Sequence, residues 1–400
     1  IDWNQKDSLL CSASGDSTAR IWNFGKKKQQ LFNIQHPSFV YAAKFHPTFS
    51  TYVTGTDLEV DHLLVTGAYD HKIRFFVFSS NADFQPVIIK EVDTLHSARV
   101  NTLTFDPNGL RLFSGDGSGV VNVMSARVDT LARKGRQDEG IGSRRSSDSS
   151  ALINEGTPLR GYTTDITQLH QSVNSSTMEQ LAAWKNSDTL FTCIKTIKER
   201  DITRSTLTTM RIDPRHPENR LIVHSQDNLI RLLDLNNNVV LRRFSGVKCH
   251  INAQKSQVSP DGRYVISGSD SGKVFIWYKD SERMLFPDGL DFGFMNHPVY
   301  DIAWASDFHI VALCSYGSPE PIRLFTIEQD DADDVPNPSA KSTTGNIAKK
   351  FLGSLALGAK GDKKPTLLKV PIPNVIPKSP RRSPRGDVLR SPSGESLRVG

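Results

Sequence analysis

The sequence has few cysteines and no long apolar run. Its four cysteines lie far apart without a CxxC pair, which argues against a zinc ribbon or a disulfide framework and fits a reducing compartment. No stretch approaches the roughly eighteen apolar residues that a membrane-spanning helix needs, and no signal peptide opens the chain. We therefore expect a cytoplasmic protein without a transmembrane segment.

Short motifs that carry catalysis are also missing. The sequence has no GxSxG elbow, no HExxH pair, no P-loop and no Rossmann fingerprint. Four of its eleven histidines precede proline, where they are expected to cap turns. The sequence thus predicts no enzyme, no metal, no cofactor and no small-molecule substrate, although glutamates and histidines from distant segments could still meet in a hydrolase site.

One pattern recurs six times along the chain. It consists of an apolar strand ending in small residues, a turn rich in Asp, Ser or Gly, and a second strand that closes on a large apolar residue. The closing residues are Trp22, Phe76, Met124, Leu233, Trp277 and Phe325. Their shortest spacing, 44 residues, is the period of about 40 to 45 residues typical of a WD40 blade, and the longer spacings indicate insertions.

Further strands surround each copy of the pattern. One precedes most copies, as in residues 40–45 and 299–304, and another follows, as in residues 29–34. Four strands make one blade of an all-β WD40 β-propeller. Because the chain begins inside a unit, we expect residues 1–327 to be an N-terminally truncated propeller, with six units here of seven in the full protein.

Resemblance to WD40 proteins implies a buried polar network in each blade. There, a turn Asp bonds a His of the loop entering the blade, and a strand Ser or Thr and a Trp indole complete the network. Asp70 with His36 and Thr66 is the best candidate, while Ser118 and Ser271 replace the Asp in two units. We expect a structural role for these network residues: Asp16, Trp22, His36, Thr66, Asp70, Asp227 and Trp277.

The same resemblance implies that partners bind on the face that carries the entering loops and the Asp turns. Six positions map to this face: Phe39, Tyr41, Tyr69, Arg99, Asn101 and Tyr300. Aromatic residues and Arg are enriched in interface hot spots, so we interpret these positions as a partner-binding surface. The alternative is that some of them pack inward.

A more specific resemblance lies in HPSFVYAAKFHP, residues 36–47, followed by VTGAYD, residues 65–70. With the later segments LIVHSQDNLIRLLDL and ALCSYGSPEPIRLF, these residues resemble the propeller of the jouberin family, scaffolds of the ciliary transition zone and basal body. The resemblance implies a non-enzymatic protein-binding scaffold in cilium assembly, located at the cilium, centrosome and basal body. Transition-zone proteins would be its partners.

Two segments are predicted to be disordered, because they are polar and poor in apolar residues. The first is an insertion at about residues 126–188, in which Arg144 and Arg145 precede Ser147 in a basic-directed kinase consensus. Near its end, residues 177–185 can form two helical turns that dock on the propeller.

The second such segment is a Pro- and Ser-rich tail, residues 328–400. Residues 341–400 contain thirteen Lys or Arg against three acids, a net charge of +10. Because the whole chain has a net charge of +6, residues 1–340 have a net charge of −4. Pro377, Pro380 and Arg382 fit an SH3-ligand pattern, PxxPx[KR]. Three serines precede proline as in sites of proline-directed kinases: Ser379, Ser383 and Ser391.

Two alternative functions remain open at this point. A WD40 substrate receptor of a ubiquitin ligase is one, although Trp22 and Trp277 are followed by Asn23 and Tyr278 and not by the Asp of a Trp-Asp-x-Arg motif. An RNA-binding basic tail is the other, and it would show a steep salt dependence. The mildly acidic body argues against nucleic acid as a ligand of the propeller itself.

Overall fold

The repeated units form six four-stranded sheets in a computed structural model of the chain. The structure describes residues 1–24, 29–54, 58–80, 85–126, 128, 175–187, 189–292, 297–305, 310–317, 322–329 and 368–372. For Tyr52 and for residues 326–329 and 368–372, only the backbone is described. The sheets are the blades of a β-propeller, which confirms the predicted fold class and the six predicted units.

Blades are numbered along the chain, and each has its four strands in sequence order. Blade one contains β1 (Asp2–Trp3), β2 (Leu9–Ala13), β3 (Thr18–Asn23) and β4 (Gln29–Gln35). Blade two contains β5 (Val40–Phe45), β6 (His62–Ala68), β7 (Ile73–Phe78) and β8 (Val87–Val92). Blade three contains β9 (Val100–Phe105), β10 (Arg111–Asp116), β11 (Val121–Ser125) and β12 (Cys193–Ile197).

Three further blades follow the insertion. Blade four contains β13 (Leu207–Ile212), β14 (Arg220–Ser225), β15 (Leu229–Asp234) and β16 (Val239–Phe244). Blade five contains β17 (Ser256–Val258), β18 (Tyr264–Gly268), β19 (Lys273–Tyr278) and β20 (Leu290–Asp291). Blade six contains β21 (Val299–Trp304), β22 (Ile310–Ser315), β23 (Ile322–Gln329) and β24 (Leu368–Ile372).

Hydrophobic side chains of each strand pack alternately toward the preceding and the following blade. Phe75 and Phe76, neighbours on β7, are both fully buried but belong to different core clusters, one shared with blade three and one with blade one. Five such clusters join the six blades in sequence. Burial on both faces explains why the central strands are almost continuously apolar.

Small residues close the second strand of each unit because the next blade approaches there. A Cβ atom on Gly67 would lie 2.6 Å from Cγ1 of Val100, the first residue of blade three. A Cβ on Gly268 would lie 2.2 Å from the carbonyl oxygen of Val299, the first residue of blade six. Glycine is therefore required at these positions for close packing of neighbouring blades.

A buried ion pair connects blades four and five. The Lys279 ammonium lies 2.7 and 2.6 Å from the two carboxylate oxygens of Asp213, and both side chains are fully buried. Removing one member of such a pair leaves an uncompensated charge in a low-dielectric site, which is strongly destabilising. The pair thus couples the integrity of the two blades.

Helix α1 (Phe49–Val53) lies in blade two, and helix α2 (Ser175–Lys185) lies near the end of the insertion. Trp184 of α2 contacts Phe49 with 5.6 Å between ring centroids, and Leu181 and Trp184 belong to the core cluster between blades two and three. The two docked helical turns predicted for residues 177–185 are therefore confirmed, and the range predicted as disordered has to end before residue 175. Met178, Leu181 and Trp184 recur every three residues, so one face of the helix buries apolar surface.

Strand β24 comes from the segment predicted as a disordered tail. It pairs in parallel with β23 from Phe325 and Leu368 to Gln329 and Ile372, whereas every other strand pair in the six sheets is antiparallel. The predicted boundary at residue 327 therefore has to be corrected: β23 runs to Gln329 and residues 368–372 complete blade six. An unpaired strand edge offers free backbone groups, which explains why an extended segment pairs there.

Among the residues that the structure describes, no helix has both the length and the apolar character to span a lipid bilayer.

We predict that Gly268→Ala destabilises the propeller by about 1 to 3 kcal/mol, the usual cost of forcing an extra methyl group into a packed site. The new Cβ would collide with backbone of blade six, which cannot rotate away as a side chain can. Urea denaturation of the purified chain measures this loss.

Gly15→Ala is the matched control, because its Cβ would have no heavy atom within 4 Å. Its unfolding free energy should equal that of the wild type. Equal stability of both variants would contradict the packing argument.

Candidate protein-binding surface

A recurrent backbone contact shapes one face of the propeller, here called the upper face. It is the face where the first strand of each blade begins and where the turn between its second and third strands lies. The Tyr69 amide donates to the Phe39 carbonyl over 2.8 Å, and the Gly117 amide donates to the Arg99 carbonyl over 3.0 Å. The contact holds each turn against the residue that precedes the blade's first strand.

Four of the six predicted interface residues meet on this face. Phe39, Tyr41 and Tyr69 of blade two and Arg99 of blade three form what we call the aromatic patch. The ring centroids of Phe39 and Tyr69 are 6.1 Å apart, and those of Tyr41 and Tyr69 are 6.5 Å apart. The patch is accessible, since Phe39 and Tyr69 are each 52% exposed and Tyr41 is 38% exposed.

Arg99 bridges the patch across the junction of two blades. Its guanidinium carbon lies 5.6 Å from the centroid of the Tyr41 ring, a cation–π arrangement. Among the described residues, no Asp or Glu forms an ion pair with Arg99. Stacking therefore orients the guanidinium while its charge stays available.

The other two predicted interface residues lie elsewhere. Asn101 is partly buried and donates through Nδ2 to the Leu207 carbonyl over 3.0 Å, so it connects blade three to blade four. Tyr300 is 38% exposed on blade six, and none of the aromatic contacts of the patch includes it. Burial, and then the charge of Asp301, raises the pKa of Tyr300.

The predicted Asp70 network is only half present. Nε2 of His36 lies 2.9 Å from the Thr66 hydroxyl, as expected, and Nδ1 lies 3.1 Å from the Ile34 carbonyl oxygen. Asp70, however, accepts hydrogen bonds from Arg74 at 2.6 and 3.3 Å. Burial alone would raise the pKa of Asp70, but the hydrogen bonds and charge of Arg74 hold it below its usual range.

The same departure recurs in blades one and four. Asp16 pairs with Arg20, and Asp227 pairs with Arg231, so in three blades the turn Asp binds the Arg four residues later. In blades two and four the forked guanidinium binds both carboxylate oxygens, whereas Arg20 in blade one binds only Oδ2 of Asp16. In all three blades the Arg takes the place of the histidine expected from the family pattern. The prediction that these Asp residues bond a loop His is therefore wrong.

Blade three contains the network that the sequence reading missed. His96 Nδ1 donates to Asp116 over 2.9 Å, and His96 Nε2 lies 2.8 Å from the Ser114 hydroxyl. Asn122 donates to the Leu95 carbonyl beside them. Asp116 stands two residues before Ser118, the position where the pattern placed the Asp, so allowing that offset in SGDGSG would have identified it.

The two predicted tryptophans also serve the scaffold. The indole N–H of Trp22 donates to the Ser12 hydroxyl over 3.2 Å, and that of Trp277 donates to the Ser245 carbonyl over 3.1 Å. Neither indole joins a histidine network. Their contacts tie strands of the blades together.

Predicted tail and insertion sites lie outside the described residues: Ser147, Ser379, Ser383, Ser391, Pro377, Pro380 and Arg382. Within the described part of the chain, no group of His, Cys, Asp or Glu residues has the geometry to hold a metal ion.

Comparison with known proteins agrees with the fold. The family model described as WD domain, G-beta repeat, matches residues 1–23, 89–123 and 239–278. Jouberin of Rattus norvegicus is 26% identical over 339 residues, which is 83% of this chain and 26% of that protein. The chain is therefore similar to jouberin and contains WD40 repeats. This confirms the resemblance predicted from residues 36–47 and the later segments.

Other relatives extend the comparison. Jouberin of Mus musculus is 26% identical over 340 residues, again 83% of this chain and 26% of that protein. WD repeat-containing protein 44 of Xenopus laevis is 22% identical over 277 residues, 69% of this chain and 22% of that protein. The jouberin-like chain thus spans about a quarter of the length of the curated relatives it matches.

Buried histidines make the jouberin-like propeller sensitive to acid. Burial lowers the pKa of His36, His46 and His224 to about 4 from the ordinary value of 6.5. In the unfolded chain these groups bind protons below pH 6.5, so the stability they contribute is complete above pH 6.5 and falls as the pH drops toward 4. We therefore predict that the unfolding free energy decreases over this window.

Within this window, His224→Met should lessen the slope by up to about 1.4 kcal/mol per pH unit, the value for one proton. His224 suits the test because neither ring nitrogen has a hydrogen-bond partner among the described residues. Urea denaturation at a series of pH values gives the slopes, with His250→Gln as a control at an exposed histidine. An unchanged slope in the Met variant would contradict the assignment.

Proposed function

We propose that this chain is a non-enzymatic scaffold that binds a protein partner through the aromatic patch and acts in cilium assembly at the transition zone and basal body. The observation that carries the proposal is the convergence of Phe39, Tyr41, Tyr69 and Arg99 on one exposed surface. These side chains come from loops and strand ends of two blades and pack against one another.

The composition of the patch supports protein binding. Tyr and Arg are enriched among the residues that dominate interface energies, and large rings provide contact area at a low entropic cost. Phe39, Tyr41 and Tyr69 lie among the large apolar side chains that the described part of the chain leaves exposed. Their exposure costs solvation free energy, which burial under a partner would recover.

The ciliary part of the proposal rests on sequence similarity. The chain matches two curated jouberins over 83% of its length, and resemblance to that family implies a place at the transition zone and basal body. Residues 36–47, the most specific part of that resemblance, include Phe39 and Tyr41 of the patch. The family-specific segment and the candidate binding surface therefore coincide.

We predict that Tyr41→Ala combined with Arg99→Ala removes the full chain from the ciliary base of ciliated cells. Truncating two hot-spot side chains typically weakens an interface by at least about 2 kcal/mol for each, which is roughly thirtyfold or more in affinity. Microscopy of the tagged chain beside a basal-body marker measures the change. The melting temperature should stay within about 2 °C of the wild type, because both side chains are on the surface.

Phe24→Ala is the matched control. Phe24 is 40% exposed, close to the 38% of Tyr41, and it also makes an aromatic contact, with Trp3. It follows the end of β3 that points away from the upper face, so it lies far from the aromatic patch. This variant should keep the wild-type distribution. The proposal fails if the double variant stays at the ciliary base, or if the wild type is never found there.

A further inference from the structure

We propose that Arg99 is the anion-recognition residue of the aromatic patch, so that the partner presents an extended segment with an acidic side chain close to an apolar one. This inference rests on the proposed function, because it specifies the partner of the same surface. It concerns peptide carboxylates of Asp or Glu.

Arg99 forms no ion pair among the described residues, unlike the three arginines that follow the turn acids of blades one, two and four. Arg20, Arg74 and Arg231 each pair with an acidic residue of their own blade. Arg99 has no such partner in the described part of the chain, and its guanidinium packs on Tyr41. A stacked guanidinium loses little further freedom when it binds a ligand, because the ring already limits its orientation.

The acids of the upper-face turns in blades one to three, and those at the end of β8, are engaged within their own blades. Asp70 binds Arg74, Glu91 binds Arg74 and Lys72, and Asp16 binds Arg20. Asp93 lies 4.0 Å from Lys72, and Asp116 is buried and accepts hydrogen bonds from His96 and Ser118. None of these acids compensates the charge of Arg99.

The geometry suits a carboxylate on an extended segment. The guanidinium carbon lies 5.6 Å from the Tyr41 ring centroid, and the N–H groups that face away from the ring can form the parallel hydrogen bonds that a carboxylate accepts. Same-side residues of an extended peptide are about 7 Å apart. The distances of 5.6 Å from Arg99 to Tyr41 and 6.5 Å from Tyr41 to Tyr69 therefore match an acid two positions from an apolar side chain.

A random linear peptide library displayed on phage tests this inference with the full chain as bait. Wild type should enrich peptides with Asp or Glu two positions from an aromatic or aliphatic residue. Arg99→Glu should instead enrich Lys or Arg at that position, because the variant reverses the charge while keeping the rings. Tyr41→Ala should enrich neither class.

Affinities of one enriched peptide then isolate the contact. Arg99→Gln should weaken its binding at least about tenfold, the loss expected for one charge-assisted hydrogen bond. Replacing the peptide's acid by its amide should cause the same loss, and the two changes together should add little. Arg283→Gln is the matched control, an exposed arginine in the turn after β19, at the opposite end of the blades from the upper face.

The outcomes separate this inference from the proposed function. If enriched peptides lack a fixed acid and Arg99→Gln binds them as well as wild type, the inference is overturned while the patch remains the binding surface. Enrichment of phosphorylated but not carboxylate peptides in a parallel library also overturns it. A library that gives no peptide able to distinguish wild type from Tyr41→Ala excludes a linear segment. If the variant with Tyr41→Ala and Arg99→Ala keeps the wild-type localisation, the proposed function itself is contradicted.

Discussion

Burial of both faces of every small sheet is the constraint on which this structure depends. A four-stranded sheet cannot bury enough apolar surface alone, so each blade is stable only through its neighbours. Phe75 and Phe76 show the principle, since adjacent side chains on one strand enter two different cores. The positions of the upper-face residues follow from this packing, because the first strand of each blade is fixed by the blade before it.

Polar contacts across the blade junctions make the arrangement specific. Asp213 and Lys279 join blades four and five, and Asn101 joins blades three and four. Such contacts penalise a shift of one blade against the next, since a shift would leave buried polar atoms unpaired. Tyr41 and Arg99 come from different blades, so the patch that they form requires this fixed geometry.

The repeat period and the apolar pattern of the sequence were sufficient to predict the blades, because the buried strands consist of apolar residues and each unit closes on a large apolar one. Family resemblance placed the turn acids in histidine networks, and among the described residues only blade three has one, at His96 and Asp116. In blades one, two and four, an Arg four residues after the Asp competes successfully for its carboxylate. Strand β24 could not be predicted, since its pairing depends on a distant strand edge and not on any local pattern.

The docked helix α2 has a consequence for the long insertion. Residues 128 and 175 mark the points where the chain leaves and rejoins the described structure, and both belong to elements packed at the junction of blades two and three. A protein bound to any part of residues 129–174 is therefore tethered to the two blades that carry the aromatic patch. Proximity of this kind raises the effective concentration of such a protein at these blades, so that two weak contacts combine into avid binding without any new interface.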